Sequence, residues 1–278
     1  MKTGLLFRRI GANFNCKFDE FWTFKVDLLI DVLNTVLEVA MWFFLAQIVD
    51  PETLGYENVG YLPFILVGSV AIFFVDSVYA NFTDKFHEDK TSGIYKLAYL
   101  SNMGVVEYFI INFVVSTFFD IITIFIPMVF TYMALMQFVS ASTTLFFGFS
   151  NVMTLFIALI IFLIGNLGFQ LMIVGSVLFL KRGDPVSFFM EQFNRLFSGQ
   201  LFPISFLPKF LLFLPKILPS AYIILIWRET LFKNKILTDP SVMNLIFAGL
   251  IINIIVFLIG LYVFYYGVNR AKTEGRWF

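Results

Sequence analysis

Six predominantly apolar runs dominate the chain, and each approaches or exceeds the length a helix needs to cross a bilayer. A hydrocarbon core about 30 Å thick takes roughly 20 residues of helix. The runs are expected at 26–49, 61–82, 105–138, 151–180, 185–202 and 242–268. The third and fourth exceed one bilayer width, so they must tilt, kink or project into water. Pro127 is the natural kink point of the third, because it removes a backbone donor and crowds the preceding turn. The fifth is shorter and more polar than the others. Lipid is the expected solvent: the chain is 59% hydrophobic and 14% charged, against about 25% charged for an ordinary soluble domain. A water-soluble fold of this size has no means of hiding so much apolar surface.

Basic residues in the short loops set the expected orientation. The N-terminal segment carries Lys2, Arg8, Arg9, Lys17 and Lys25. The loop after the first run has Asp50, Glu52 and Glu57 and no basic residue, whereas the next has Lys85, Lys90 and Lys96. The loop after the third run is uncharged, the turn after the fourth is Lys181-Arg182-Gly183-Asp184, and the tail at 269–278 holds Arg270, Lys272 and Arg276. Both termini are therefore expected in the cytoplasm of a cell whose cytoplasmic membrane the chain crosses. Segment 203–240 is the exception. It falls outside, yet it holds Lys209, Lys216, Arg228, Lys233 and Lys235 and is punctuated by Pro203, Pro208, Pro215 and Pro219. Such a mix suits a re-entrant extracellular helical hairpin, since irregular backbone at membrane depth needs cover from protein or water. The expected fold is an all-α polytopic membrane protein with six transmembrane helices, an N-terminal amphipathic interfacial helix over 1–25, a cytoplasmic loop over 83–104, and that hairpin before the last span.

Several function classes are disfavoured. Lys plus Arg and Asp plus Glu both number 19, so no charge excess points to nucleic acid. The single cysteine, Cys16, excludes an intrachain disulfide or a Cys-rich metal site. The charged first 25 residues lack the apolar core of a cleavable signal peptide. His87 is the only histidine and is expected to be a solvated loop residue, with no metal site around it. Asn81-Phe82-Thr83 forms a glycosylation sequon, but on the expected cytoplasmic side. The 39 phenylalanines are most simply lipid-facing and packing surface.

The stretch Ser198–Glu229 is the most specific part of the sequence. It contains Ser198-Gly199, Phe202-Pro203, Leu207-Pro208, Leu218-Pro219, Tyr222 and Arg228. With Gly260 and the basic tail of the last run, this pattern resembles the ABC-2 class of ATP-binding-cassette transporter permeases, which share the type V exporter fold. Residues 88–97, Glu-Asp-Lys-Thr-Ser-Gly-Ile-Tyr-Lys-Leu, resemble the family's acidic-then-glycine signature before its coupling helix. Two positions depart from it: Asn102 stands where the family has proline, and Lys96 where it has an acidic residue. The resemblance implies one half of a transmembrane pore, paired with a second permease subunit. Each half would dock on a separate nucleotide-binding ATPase that binds ATP and Mg, with no cofactor held by this chain. The chain itself has no GxxxxGK[ST] phosphate loop.

Under that resemblance, Glu88, Asp89, Gly93, Ile94, Leu97 and Leu100 would form the ATPase-coupling element, with the apolar three as anchors in a groove. An amphipathic segment on the inner leaflet is the alternative. The stretch 7–24 alternates Phe14, Phe18, Phe21 and Trp22 with Arg8, Arg9, Lys17, Asp19 and Glu20, the pattern of an interfacial helix. Asp27, Asp31, Asn34, Thr35 and Glu38 share one helical stripe in the first run. Ionisable groups within a bilayer usually face protein or water. Asp31, Glu38, Asp76, Asp120 and Glu191 are therefore candidates for a translocation pathway; structural pairing, such as Glu191 with Arg195 one turn on, is the competing account. Gly199, Pro203, Pro208, Pro219 and Tyr222 are the candidate hairpin residues. An ion-coupled secondary transporter using Glu38, Asp76 and Asp120 is the rival function, and a membrane-embedded enzyme the third. The substrate is not readable.

Overall fold

The structure is a computed structural model that describes residues 2–23, 25–48, 56, 59–72, 105–120, 122, 145–180 and 184–273. Regular structure among these residues is helical throughout, with no strand. The helices are α1 (Lys2–Thr23), α2 (Lys25–Ala46), α3 (Tyr61–Ile72), α4 (Val105–Asp120), α5 (Phe149–Leu180), α6 (Asp184–Phe197), α7 (Leu214–Ile217), α8 (Pro219–Lys233) and α9 (Pro240–Thr273). Two short 3-10 turns, Ile204–Phe206 and Lys209–Leu211, precede α7. The chain divides into two compact units, one from Met1–Met41 and Asp84–Phe138, the other from Trp42–Thr83 and Val139–Trp277.

In the first unit α1 lies along α4. Arg9 Nη1 sits 2.7 Å from Glu107 Oε1, and Asn13 donates its side-chain amide to Asn112. Ile10 and Phe14 cover the buried line Ile111, Val115 and Phe119. The paired residues rise together in number, so the two helices run parallel. The i, i+4 spacing on both strips lets one apolar ridge meet another.

The second unit is organised by α5 and α9. Both are long and apolar enough to cross a membrane, over Phe149–Leu178 and Pro240–Arg270. This makes the chain an all-helical membrane protein; the described residues include two such helices, or three if the bent pair Lys209–Ile217 and Pro219–Lys233 makes one span. The apolar stretches Val32–Ala46, Tyr61–Ile72 and Glu107–Phe119 are shorter and fall within the first three expected runs. Outward faces of α5 and α9 carry Phe156, Ile160 and Ile164, and Phe247, Ile251, Ile254 and Leu258, all exposed. Water would penalise such a surface by roughly 25 cal/mol per Å2; lipid does not.

Glycines bring the two backbones together. A Cβ at Gly168 would land on the Phe257 backbone, one at Gly175 would lie 2.7 Å from Val263 O, and one at Gly267 would lie 2.5 Å from Gly175 O. Gly168 and Gly175 are seven residues apart, as are Gly260 and Gly267, so contact recurs every second turn. Residue numbers again rise together, so α5 and α9 are parallel. Segment 181–239 must therefore carry the chain back to the side where α5 began. α6 makes most of that return. Its 14 residues span about 21 Å at 1.5 Å each, short of a full crossing of about 30 Å.

Candidate functional site

Where α6 ends, the chain turns sharply. Gly199 takes a φ of 86°, a left-handed conformation that suits the residue after a helix and favours glycine. The turn leaves carbonyl groups of Gly199 and Gln200 without helical partners, at the negative end of the α6 dipole. Arg228, from the middle of α8, fills that need. Its Nη1 donates to Gly199 O at 2.7 Å, and its Nη2 donates to Gln200 O at 3.0 Å and to Phe64 O at 3.0 Å. The guanidinium carbon lies 3.5 Å from the Phe64 ring centroid. Arg228 is 2% exposed, so its charge is balanced by carbonyl dipoles and a ring face and not by water.

Further bonds close this junction between α3, α6 and α8. Gln200 Nε2 donates to Ser69 Oγ at 3.1 Å, Tyr61 Oη donates to Leu201 O at 3.1 Å, and Ser220 Oγ donates to Asn194 Oδ1 at 2.7 Å. Gly68 has to be small: a Cβ there would sit 2.8 Å from Arg228 Nη2 and 2.9 Å from Gln200 O.

Beyond the junction the hairpin is a series of short turns, each begun by a proline. Pro203 and Pro208 occupy the N-cap positions of the two 3-10 turns, Pro215 lies in the first turn of α7 and Pro219 opens α8. Proline suits a helix start, where its missing N–H is no loss. It also drives the preceding residue out of the helical region. Leu207 is accordingly extended at φ −67°, ψ 140°, and Leu218 at φ −92°, ψ 119°. The second break bends the chain by 92° between Lys209–Ile217 and α8. Tyr222 braces this corner by donating its hydroxyl to Lys216 O at 2.8 Å, while its own Cβ lies 3.2 Å from where a Gly249 Cβ would be.

α8 runs antiparallel to α5 and α9. Tyr222 lies at Gly249, Trp227 Nε1 donates to Leu155 O at 3.2 Å, and Asn151 Nδ2 donates to Thr230 O at 3.2 Å. Asn234 ends α8 in the left-handed conformation at φ 53°, a cap asparagine accepts well. Its Oδ1 accepts a second Asn151 bond at 3.0 Å. Glu229 accepts from Lys233 at 2.7 Å and from Lys235 at 2.6 Å, and Lys233 Nζ lies 4.8 Å from the Tyr56 ring centroid.

The hairpin residues Gly199, Pro203, Pro208, Pro219 and Tyr222 thus converge on one structural unit. The pathway candidates do not gather in the same way. Glu191 pairs with Arg195 Nη2 at 2.9 Å along α6. Glu38 is half-buried on α2 beside the buried Thr35 and Val39, and Asn34 is exposed. Asp31 lies on α2 and Asp120 at the end of α4, with their side chains outside the described residues, as is all of Asp76. The coupling residues Glu88, Asp89, Gly93, Ile94, Leu97 and Leu100 also lie outside the described residues. No group of three or more metal-ligating side chains occurs among the described residues. Sequence reasoning did not single out Phe64, Gly68, Ser69 and Gln200. Only the i, i+4 placement of Phe64 and Gly68 on one helix hinted at a shared face.

No protein-family model matches the chain, and no curated protein matches it.

Proposed function

We propose that the chain is the permease subunit of an ABC-2 type exporter: one half of a translocation pathway that pairs with a second permease half and takes its energy from a separate ATPase. In this reading it has six membrane spans and cytoplasmic termini, and residues 83–104 meet the ATPase. The observation that carries the reading is the hairpin at 198–233. A chain that nearly crosses in α6, stops at a glycine turn, bends through proline-started turns and re-emerges along α8 is a costly device in lipid. It needs every irregular carbonyl satisfied, and Arg228 does so for two of them, at Gly199 and Gln200, while its third bond ties the turn to Phe64 of α3. The resemblance of Ser198–Glu229 to the permease family falls on this same device. The parallel course of α5 and α9 suits spans four and six of a six-span chain, both of which run toward the cytoplasm.

Co-purification with a candidate nucleotide-binding subunit, followed by transport in vesicles, tests the reading. The expected result is a stable complex whose transport requires ATP hydrolysis. Transport by the isolated chain, driven by an ion gradient with no nucleotide, would overturn it in favour of an ion-coupled carrier.

A further inference from the structure

The five cations of the hairpin segment are not equivalent. Arg228 is spent on carbonyl groups, and Lys233 and Lys235 both bind Glu229. Lys209 and Lys216 remain, exposed and without an ion pair among the described residues. The sequence holds no acidic residue between Glu191 and Glu229. Those two carboxylates are already engaged, by Arg195 and by the two lysines. The arm from Ile204 to Ile217 therefore presents two positive charges that this stretch of chain does not neutralise.

The same arm carries an apolar stripe. Phe206 is 58% exposed, Phe210 74%, Phe213 58% and Ile217 48%, so the largest side chains of the arm point away from the protein. Leu207, Pro215 and Leu218 are buried and hold it from beneath. The depth of the arm follows from α9. Tyr262, Tyr265 and Tyr266 are exposed near its C-terminal end, as an interfacial aromatic belt requires. Roughly 20 residues back, one hydrocarbon thickness away, lies Leu245. Gly249, against which Tyr222 and hence the arm are braced, is only about 6 Å further in. Amphipathic segments settle about 5–10 Å into the boundary between acyl chains and headgroups. From that depth a lysine stem lies along apolar surface while its ammonium reaches the phosphate layer.

We infer that the arm is a lipid-binding edge: Phe206, Phe210 and Phe213 enter the acyl chains of the leaflet, and Lys209 and Lys216 bind the phosphate of an anionic phospholipid. This inference goes beyond the exporter reading and does not need it, because it stands whether or not an ATPase drives the chain.

Cys16 is the only cysteine, so a full-length Cys16→Ser, Phe213→Cys protein accepts one dansyl label on the arm. It would be reconstituted in vesicles containing brominated phosphatidylcholine or brominated phosphatidylglycerol. Quenching by both lipids is expected, with little quenching by aqueous iodide. The association constant should favour phosphatidylglycerol on the order of fivefold for each lysine engaged. Lys209→Gln with Lys216→Gln should abolish that preference, the Lys→Arg pair should keep it, and soluble glycerol phosphate should not compete. Quenching by iodide alone would place the arm in water and overturn the inference. Protection from iodide and lipid alike would show a protein covering it, such as a second copy, with the same consequence. So would a preference that survives the glutamine pair, or full competition by glycerol phosphate.

Discussion

Arg228 brings a full charge into a site whose acceptors are three main-chain carbonyls on two separate stretches of chain. A planar fork with several fixed donors can serve all three, and an ammonium on a single stem cannot. Removing the side chain leaves buried acceptors without donors, at about 1–3 kcal/mol for each unsatisfied group. Arg228→Ala should therefore lower the thermal midpoint of the solubilised protein clearly, and Arg228→Lys should fall between it and the parent. Equal midpoints for all three would show the junction to be unimportant for stability. Gly68→Ala pushes on the same guanidinium and on the Gln200 carbonyl, so it should destabilise too, although alanine is ordinarily the better helix former. Under the exporter reading, Glu38→Ala addresses function instead: half-buried on α2, it should reduce export while leaving assembly with the proposed ATPase intact. Undiminished transport would remove Glu38 from the pathway.

At the scale of elements, the hairpin corner and the α5–α9 contact make separate claims. Tyr222→Phe deletes one hydroxyl bond across the 92° bend and should cost about 0.5–1.5 kcal/mol. Its observable is faster proteolysis within 204–217. Gly168→Leu is a harsher test, because the new side chain must occupy space held by the Phe257 backbone. It should prevent α5 and α9 from meeting, and the yield of folded protein reports it. These elements are not equally legible in the sequence. α5 and α9 are plain from their long uncharged runs, and the prolines mark each hairpin turn, because both are local properties of the chain. α6 is less so. The apolar pattern continues through Leu201 and Phe202 and predicts a span to 202, but Gly199 ends the helix before them. The partners of Arg228 are hidden, since a guanidinium bonding main-chain oxygen leaves no trace in the identity of the residues that supply it.

For the molecule as a whole, hydropathy announces an all-helical membrane protein, and the structure agrees at that level. The finer expectations rest on the exporter reading. Loading the assembled complex with a non-hydrolysable nucleotide should halt transport without dissociating the ATPase, since docking and hydrolysis are separate steps. Continued export under that block would place the energy source elsewhere.

The glycine seam between α5 and α9 bears on how such a protein can move. Helices separated by long side chains slide by exchanging rotamers, whereas helices that touch through main-chain atoms have no such slack. Any rocking motion must treat this pair as a single strut. The pivots then fall where the chain is already interrupted, at the Gly199 corner and the proline joints beyond it, which makes the seam the stator against which the rest of its unit would turn.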